Sequence, residues 1–377
     1  MLPNEWQRVP VGKVCNSIVP GRNKPKYFDG DIPWVTTPEI SGRYVPSALQ
    51  KNYVSETVLK ECGGKIVPKG AVVMAAVGEL GLVALAAEKV VLNQQLHAFV
   101  CSNSVHNEYL AYALKAQKYY MESVASKTTI PYMNKTNCES IPVPLPPLPE
   151  QKKIAQILSA WDQAITATKR LLENSQQRKK GLMQQLLTGK KRLPGFEEEW
   201  QKIELGEALK YQQPTPFLVR STEYSNDFPT PVLTAGKSFL LGYSDEEFGI
   251  YRNVLPTIIF DDFTTASRFV DFPFKVKSSA IKILTSNSGF STRYLLEAMQ
   301  MIRFKVGGHQ RHWISIFANL VIPCPSFEEQ KAISKVLATA DHEISALQNF
   351  LKSLKKEKKA LMQQLLTGKR RVQVEAA

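Results

Sequence analysis

The nine residues Leu182-Met183-Gln184-Gln185-Leu186-Leu187-Thr188-Gly189-Lys190 recur without a change from Leu361 to Lys369, 179 residues further on. The same offset carries Glu150-Gln151-Lys152 onto Glu329-Gln330-Lys331, and Ile154, Leu158, Asp162, Ile165 and Leu172 onto Ile333, Leu337, Asp341, Ile344 and Leu351. A gap-free repeat over roughly 43 residues, half of them identical, is a duplication and not coincidence. A weaker echo joins Glu5-Trp6-Gln7-Arg8-Val9 and Gly12 to Glu199-Trp200-Gln201-Lys202-Ile203 and Gly206. The chain is therefore two copies of one unit, each a variable globular part followed by a near-constant segment.

The constant segment reads as a helix. In its second copy Ile333, Leu337, Ala340, Ile344, Leu347, Leu351, Leu354, Leu361 and Leu365 alternate at spacings of three and four, the seam of a coiled coil, interrupted once by Lys358. The first copy is less strict. Its seam runs Ile154, Leu158, Trp161, Ile165, Thr168, Leu172, Ser175, Lys179, Leu182, Leu186, so pairing is expected to rest mainly on its two ends. Ser326 with Glu329 suggests a capping box, Pro147 and Pro149 precede the first helix, and Gly189 and Gly368 stop each helix among basic residues. Some 38 helical residues at ~1.5 Å each give a rod of roughly 55 to 60 Å. Because each helix follows an equivalent globular part, antiparallel packing of the two on each other is the expected arrangement, with independent surface helices or pairing with another molecule as the alternatives.

Composition bounds the function. A chain of 377 residues exceeds one ordinary core and suggests two or more domains. No stretch approaches the ~20 apolar residues of a membrane span, and Met1-Leu2-Pro3-Asn4-Glu5-Trp6 lacks the pattern of a signal peptide, so the protein reads as cytoplasmic. The five cysteines are scattered without Cys-x-x-Cys spacing and read as reduced thiols. A net charge of +14 points to a polyanion. Most of that excess lies on the helices, with 10 basic and 3 acidic residues between positions 150 and 192 and 10 and 4 between 329 and 371, where it also offsets the helix dipoles. A solvated charged face is thus an alternative to phosphate binding there.

Catalytic machinery is not evident. The sequence has no Gly-x-x-x-x-Gly-Lys-Ser/Thr loop, no Gly-x-Gly-x-x-Gly and no Asn-Pro-Pro-Tyr/Phe stretch. Asp261-Asp262 with Lys275 or Lys277 is a conceivable nuclease centre, but paired acids next to basic residues are common, and His309 with His312 is a conceivable metal pair, but no Cys or further His stands near. The reading is a binding protein. A nuclease with a helical arm and an assembly scaffold that does not read DNA remain the rivals.

Pro146-Pro147-Leu148-Pro149-Glu150-Gln151 leading into a long helix that ends in Gln184-Gln185-Leu186-Leu187-Thr188-Gly189, the second copy of that element, and the Trp6 and Trp200 openings together resemble the specificity subunits of type I restriction–modification systems. Pro231-Val232-Leu233-Thr234-Ala235-Gly236-Lys237-Ser238 and Ile258-Ile259-Phe260-Asp261-Asp262-Phe263-Thr264-Thr265 add to the likeness. The resemblance spans the whole chain. It implies an α+β protein: two globular α/β target-recognition domains separated by two long antiparallel helices forming an intramolecular coiled coil, with pseudo-two-fold symmetry. The expected division is 1–147 and 193–325 for the recognition domains, 148–192 and 326–371 for the helical spacers, and 372–377 for a tail. The resemblance further implies that each domain reads one half of a bipartite double-stranded DNA target and that the helices fix the unread spacer. Two methyltransferase subunits would be recruited, and two motor-nuclease subunits could join them. The chain itself would carry no cofactor, while those partners would use S-adenosylmethionine, ATP and Mg.

Base edges are read by amide, guanidinium and hydroxyl groups, and phosphates are held by lysines, hydroxyls and backbone amides. On that basis the candidates for DNA contact in the first domain are Lys24, Lys26, Trp34, Thr36, Thr37, Asn93, Gln94, Gln95, Lys127, Thr128, Tyr132, Asn134 and Lys135. In the second they are Lys237, Thr264, Thr265, Ser267, Arg268, Lys275, Lys277 and the run His309-Gln310-Arg311-His312-Trp313. Trp34 and Trp313 could equally be core residues. Helix pairing is assigned to Ile154, Leu158, Ile165, Leu172, Leu182 and Leu186 on the first helix, and to Ile333, Leu337, Ile344, Leu347, Leu351, Leu354, Leu361 and Leu365 on the second.

Overall fold

The computed structural model of the chain describes residues 2–21, 23–234, 238–302 and 312–374. Two helices of 39 residues each, Leu148–Leu186 and Phe327–Leu365, carry the duplicated segment. Contacts divide the chain into one unit formed by Met1–Lys169 with Phe350–Ala377 and a second formed by Arg170–Asn349. The division falls inside the long helices. Each unit consequently owns the start of one long helix and the end of the other, in addition to a globular domain.

In the first unit the strands Cys15–Ile18, Leu96–Cys101, Val72–Ala75, Val83–Ala86 and Tyr44–Val45 lie side by side in that order, and Tyr53–Val54, Ile32–Val35, Val90–Leu92 and Ile66–Val67 form a second, mixed sheet. Val72–Ala75 and Val83–Ala86 are apolar on both faces because both are covered. One core lies under Phe99, Val72, Met74 and Leu85 and includes the helix Asn107–Ala116. That core takes in Ile154 and Leu158 from the first long helix and Leu365 and Leu366 from the second. Burying a leucine or isoleucine is worth about 1.5–3 kcal/mol, so the helix ends belong to the domain's own core.

The second unit repeats the plan with other strands. Leu209–Gln212, Ile281–Ser286, Thr257–Asp261 and Ser267–Val270 form an antiparallel sheet, and Leu240–Ser244, Thr230–Leu233 and Lys275–Val276 a smaller mixed one. Its core gathers Phe260, Leu284, Tyr294 and Trp313 with Leu186 and Leu187 from the end of the first long helix and Ile333 and Leu337 from the start of the second.

The motifs that recur in the sequence recur as contacts. A two-stranded ribbon, Gln7–Pro10 with Pro142–Leu145 in one unit and Gln201–Glu204 with Val321–Cys324 in the other, brings each tryptophan opening to the root of a long helix. Gln151 donates to the Pro146 and Ser104 carbonyls and accepts from the His106 amide; Gln330 likewise donates to the Pro325 carbonyl and accepts from the Ser291 amide. Tyr109 donates to the Pro144 carbonyl at 2.6 Å and Tyr294 to the Pro323 carbonyl at 2.7 Å. The carboxylate of Glu150 accepts from Arg371, and that of Glu329 from Arg192 and the Trp200 indole. Both carboxylate oxygens of Glu329 are thus held by the Arg192 and Trp200 clasp. Gly368 sits here at φ +72, where an added Cβ would lie 2.5 Å from the Pro3 ring, so the helix stop is also a close approach.

Within each unit the helix segments run antiparallel. Asp162 pairs with Lys358 in the first unit; Lys179 pairs with Asp341 at 2.7 Å and Ser175 donates to Glu343 at 2.7 Å in the second. Partner numbers fall on one helix as they rise on the other. These polar seam positions overturn one expectation. Lys358, Ser175 and Lys179, read as interruptions that weaken the seam, each hold a carboxylate of the opposing helix, and Thr168 is buried with its hydroxyl bonded to the Ala164 carbonyl. Ile165, Leu172, Leu182, Ile344, Leu347 and Leu361 are half-buried, and Leu351 and Leu354 buried, as the heptad pattern requires.

Candidate nucleic-acid interface

In the first unit several of the residues singled out in the sequence meet where the four-stranded sheet passes into the five-stranded one. Strand Ile32–Val35 ends at Thr36 and Thr37, and Asn93-Gln94-Gln95 is the turn that opens strand Leu96–Cys101. Lys24, Trp34, Thr36, Asn93, Gln94 and Gln95 line a single cavity of about 360 Å³. The Thr37 hydroxyl donates to Gln95 Oε1 at 3.2 Å and Asn93 Nδ2 donates to the same oxygen at 3.3 Å. Glu39 fastens the Thr36 turn by accepting from both the Thr36 amide and hydroxyl. The segment containing Tyr132 reaches the same place through the backbone: the Met133 amide donates to the Ala76 carbonyl, and the Ala76 amide to the Gln95 carbonyl. Tyr132 is 47% exposed, and Lys26, Lys127, Thr128, Asn134 and Lys135 are exposed too.

Trp34 is the exception. It is buried in a small core with Ile32, Val54 and Val91 and contributes a wall to the cavity. Phe28, half over Trp34 at 6.3 Å between rings, and Tyr27 are exposed beside the Lys24 and Lys26 loop and were missed as candidates. The sequence signal was there, in aromatics that follow closely spaced lysines.

Two positions behind Gln95, burial pushes the His97 imidazole down to about 4. The unfolded chain takes up that proton near pH 6.5, so the penalty on folding is absent above that value, grows as pH falls, and is complete below about 4. This unit is expected to lose about 2 kcal/mol of stability between pH 7 and pH 5. Replacing His97→Phe should flatten that part of the denaturation profile; an unchanged slope in urea titrations at the two pH values would contradict the assignment.

In the second unit the turn between Thr257–Asp261 and Ser267–Val270 presents Thr264, Thr265, Ser267 and Arg268. Thr265 adopts φ +62, a left-handed conformation costly for a β-branched residue. Asp261 holds the turn: Oδ1 accepts from the Phe263 amide at 3.0 Å and Oδ2 from the Thr264 hydroxyl at 2.5 Å. The Arg268 guanidinium lies over the Phe239 ring at 5.8 Å, and the Lys277 amide donates to the Leu233 carbonyl, so both approach the loop that follows strand Thr230–Leu233. Lys277 and Arg268 are exposed.

Three candidates in this unit are corrected. Lys275 is fully buried, its ammonium 2.9 Å from Glu246 and bonded to the Phe248 carbonyl, and is unable to reach a phosphate. His312 is buried with a ring nitrogen 2.8 Å from the Asp262 carbonyl, and Trp313 is buried against Phe260 at 5.4 Å between ring centroids. Asp262 accepts from the Trp313 amide at 2.8 Å and faces Lys282, so this carboxylate fixes the start of a helical turn. Lys237, His309, Gln310 and Arg311 lie outside the described residues. Among the described residues no cluster of His, Cys, Asp and Glu is arranged to hold a metal, and no helix is long and apolar enough to cross a membrane.

Each unit thus offers a polar end on an α/β domain clasped to helix ends, one carrying Asn93, Gln94 and Gln95 and the other Ser267, Arg268 and Lys277. The chain matches the type I restriction modification DNA specificity domain over residues 3–174 and again over 197–356. It is 46% identical over 147 residues to the EcoR124I/EcoR124II specificity subunit of Escherichia coli, a match covering 37% of this chain and only 36% of that relative. It is 25% identical over 421 residues to the MjaVIII specificity subunit of Methanocaldococcus jannaschii, covering 98% of this chain and 94% of the other. The S subunit from the M. genitalium type I system has the same fold, with a TM-score of 0.70 at 17% identity, covering 97% of this chain and 98% of that one. With two matched stretches that between them take in both ribbons and most of both long helices, the chain belongs to the type I restriction modification DNA specificity family.

Proposed function

We propose that this chain is the DNA-reading subunit of a type I restriction–modification complex and that each unit reads one half of a split target. The observation that carries the reading is the duplication itself: one helix clasp built twice, each time beneath a different set of exposed amides, hydroxyls and basic groups. Equivalent supports under unlike polar faces suit the reading of two different short sequences. The long helices separate the two readings and set the unread gap. They also offer exposed lysine and arginine faces for two methyltransferase subunits, with two motor-nuclease subunits completing a restricting assembly. Those partners supply S-adenosylmethionine, ATP and Mg chemistry at their own sites, and the complex works in the cytoplasm, where the host DNA is.

Footprinting of a DNA library with the chain and its methyltransferase subunits tests this. Two protected half-sites at a fixed separation are expected, and sequence-independent protection would contradict it. Within the first half-site Gln95 has the side-chain amide best placed to read a base, since its oxygen is already oriented by Thr37 and Asn93. Gln95→Ala is expected to weaken binding by about 1–3 kcal/mol and to relax one base position. An equal loss on every sequence would instead mark Gln95 as a backbone contact.

A further inference from the structure

Beyond the core that it shares with the helix ends, each recognition domain is tied to its helix pair by polar groups at two levels. The root is Glu150 and Arg371 with Glu5 of the domain in one unit, and Glu329 and Arg192 with Trp200 of the domain in the other. The second level lies one helix stretch further along, at Asp162 and at Asp341, roughly 18 Å from the root at 1.5 Å per residue. At Asp162 three elements meet: Lys358 from the opposing helix on Oδ1, and the Tyr112 hydroxyl from the domain helix on Oδ2 at 2.6 Å. Arg43 stacks on the Tyr112 ring at 4.9 Å and pairs with Glu108 at 2.7 Å. At Asp341 the same roles are filled by different chemistry. Lys179 comes from the opposing helix, and Arg293 from the domain helix pairs with both Asp341 and the buried Glu297.

We propose that Asp162 and Asp341 are positioning residues that fix the tilt of each recognition domain on its helices and thereby sharpen the length of the unread gap. The inference rests on the reading that the helices set that gap. The shared core grips each helix pair from the root as far as Leu158 and Leu337, and the aspartates one turn further on lengthen that grip and so restrain the domain from pivoting about its root. A domain of this size is roughly 35 Å across, so a tilt of about 6° about the root would move its far end by about 3.7 Å, close to the ~3.4 Å rise of one base pair. The brace therefore governs a motion of the size that decides between neighbouring gaps. That the aspartates are retained at equivalent places while their domain-side partners differ, a phenol in one unit and a guanidinium in the other, argues that the attachment and not a particular contact is what the fold keeps.

The test removes the domain side of the brace and leaves the helix pair whole. Tyr112→Phe keeps the Asp162–Lys358 pair and the ring under Arg43; Arg293→Gln keeps Lys179 between Asp341 and Glu297. With the complete methyltransferase complex, methylated adenines are mapped across a library in which the gap varies and the half-sites are fixed. Methylation at gaps one base pair longer or shorter is expected to rise at least 10-fold relative to the parent, with unchanged half-sites. An unchanged gap spectrum in both variants overturns the proposal, including when the melting temperature falls, since that is what a purely structural contact would do. A matched lengthening of the two helices separates the two ideas. If it shifts the gap while both variants keep the parental spectrum, only the brace fails; if it leaves the gap where it was, the helical ruler fails and the brace with it.

Discussion

Four residues inserted after Leu172, with four more after Leu347 so that the antiparallel seam stays in step, are expected to lengthen the unread gap by one or two base pairs while both half-sites stay the same. Four helical residues add about 6 Å, close to two base-pair rises of ~3.4 Å. They also rotate whatever follows by roughly 40° beyond a full turn, close to the twist of one base pair in a duplex of 10 to 10.5 per turn. Translation favours two and rotation favours one, and the outcome measures which the complex tolerates less. Both insertion points fall in the stretch between the Asp162–Lys358 and Lys179–Asp341 pairs, so the clasps of each unit stay intact. Mapping methylated adenines in cells carrying the lengthened chain gives the gap directly. New half-sites with the old gap would refute the ruler.

Trp313→Ala is expected to cost the second unit about 3–5 kcal/mol of stability, measured by denaturation without DNA. The ring is 1% exposed and packs edge-on against Phe260 in the core that also holds Phe317 and Tyr294. Trp313→Phe should restore most of that loss and keep the parental half-site. A tryptophan that stacked on a base would behave otherwise: the alanine variant would be as stable as the parent and would fail only on DNA.

What could be read from the sequence divides along a physical line. The long helices were legible because a coiled-coil seam is a pattern along one chain, and 179 residues of offset repeat it twice. The turns at Thr36 and Asn93 in the first unit and at Thr264 in the second were legible as turns because short amides and hydroxyls between apolar runs are turn formers. Lys275, His312 and Trp313 were misread for the opposite reason. A lysine that ends up on Glu246, and a histidine and tryptophan that seat on Asp262, have the same composition as a DNA-binding run, and only the fold supplies the buried acceptor. The polar seam residues follow the same rule. Lys358 looks like a flaw until Asp162, far away in the chain, is brought opposite it. The domain limits inferred from the repeat also treat each helix as one piece, whereas the contacts assign its two halves to different units.

That division has a consequence for the order in which the protein is made. The second unit, Arg170–Asn349, is contiguous, and its clasp of Arg192, Trp200 and Glu329 closes within it. The first unit needs Leu365, Leu366 and Arg371, which leave the ribosome only after the whole of the second unit, to cover Ile154, Leu158 and Glu150, made some two hundred residues earlier. The earlier-synthesised domain is therefore the later one to be sealed. Its apolar stripe stands open throughout translation of the rest, which makes the nascent first half, and any product of premature termination, the form most dependent on chaperones.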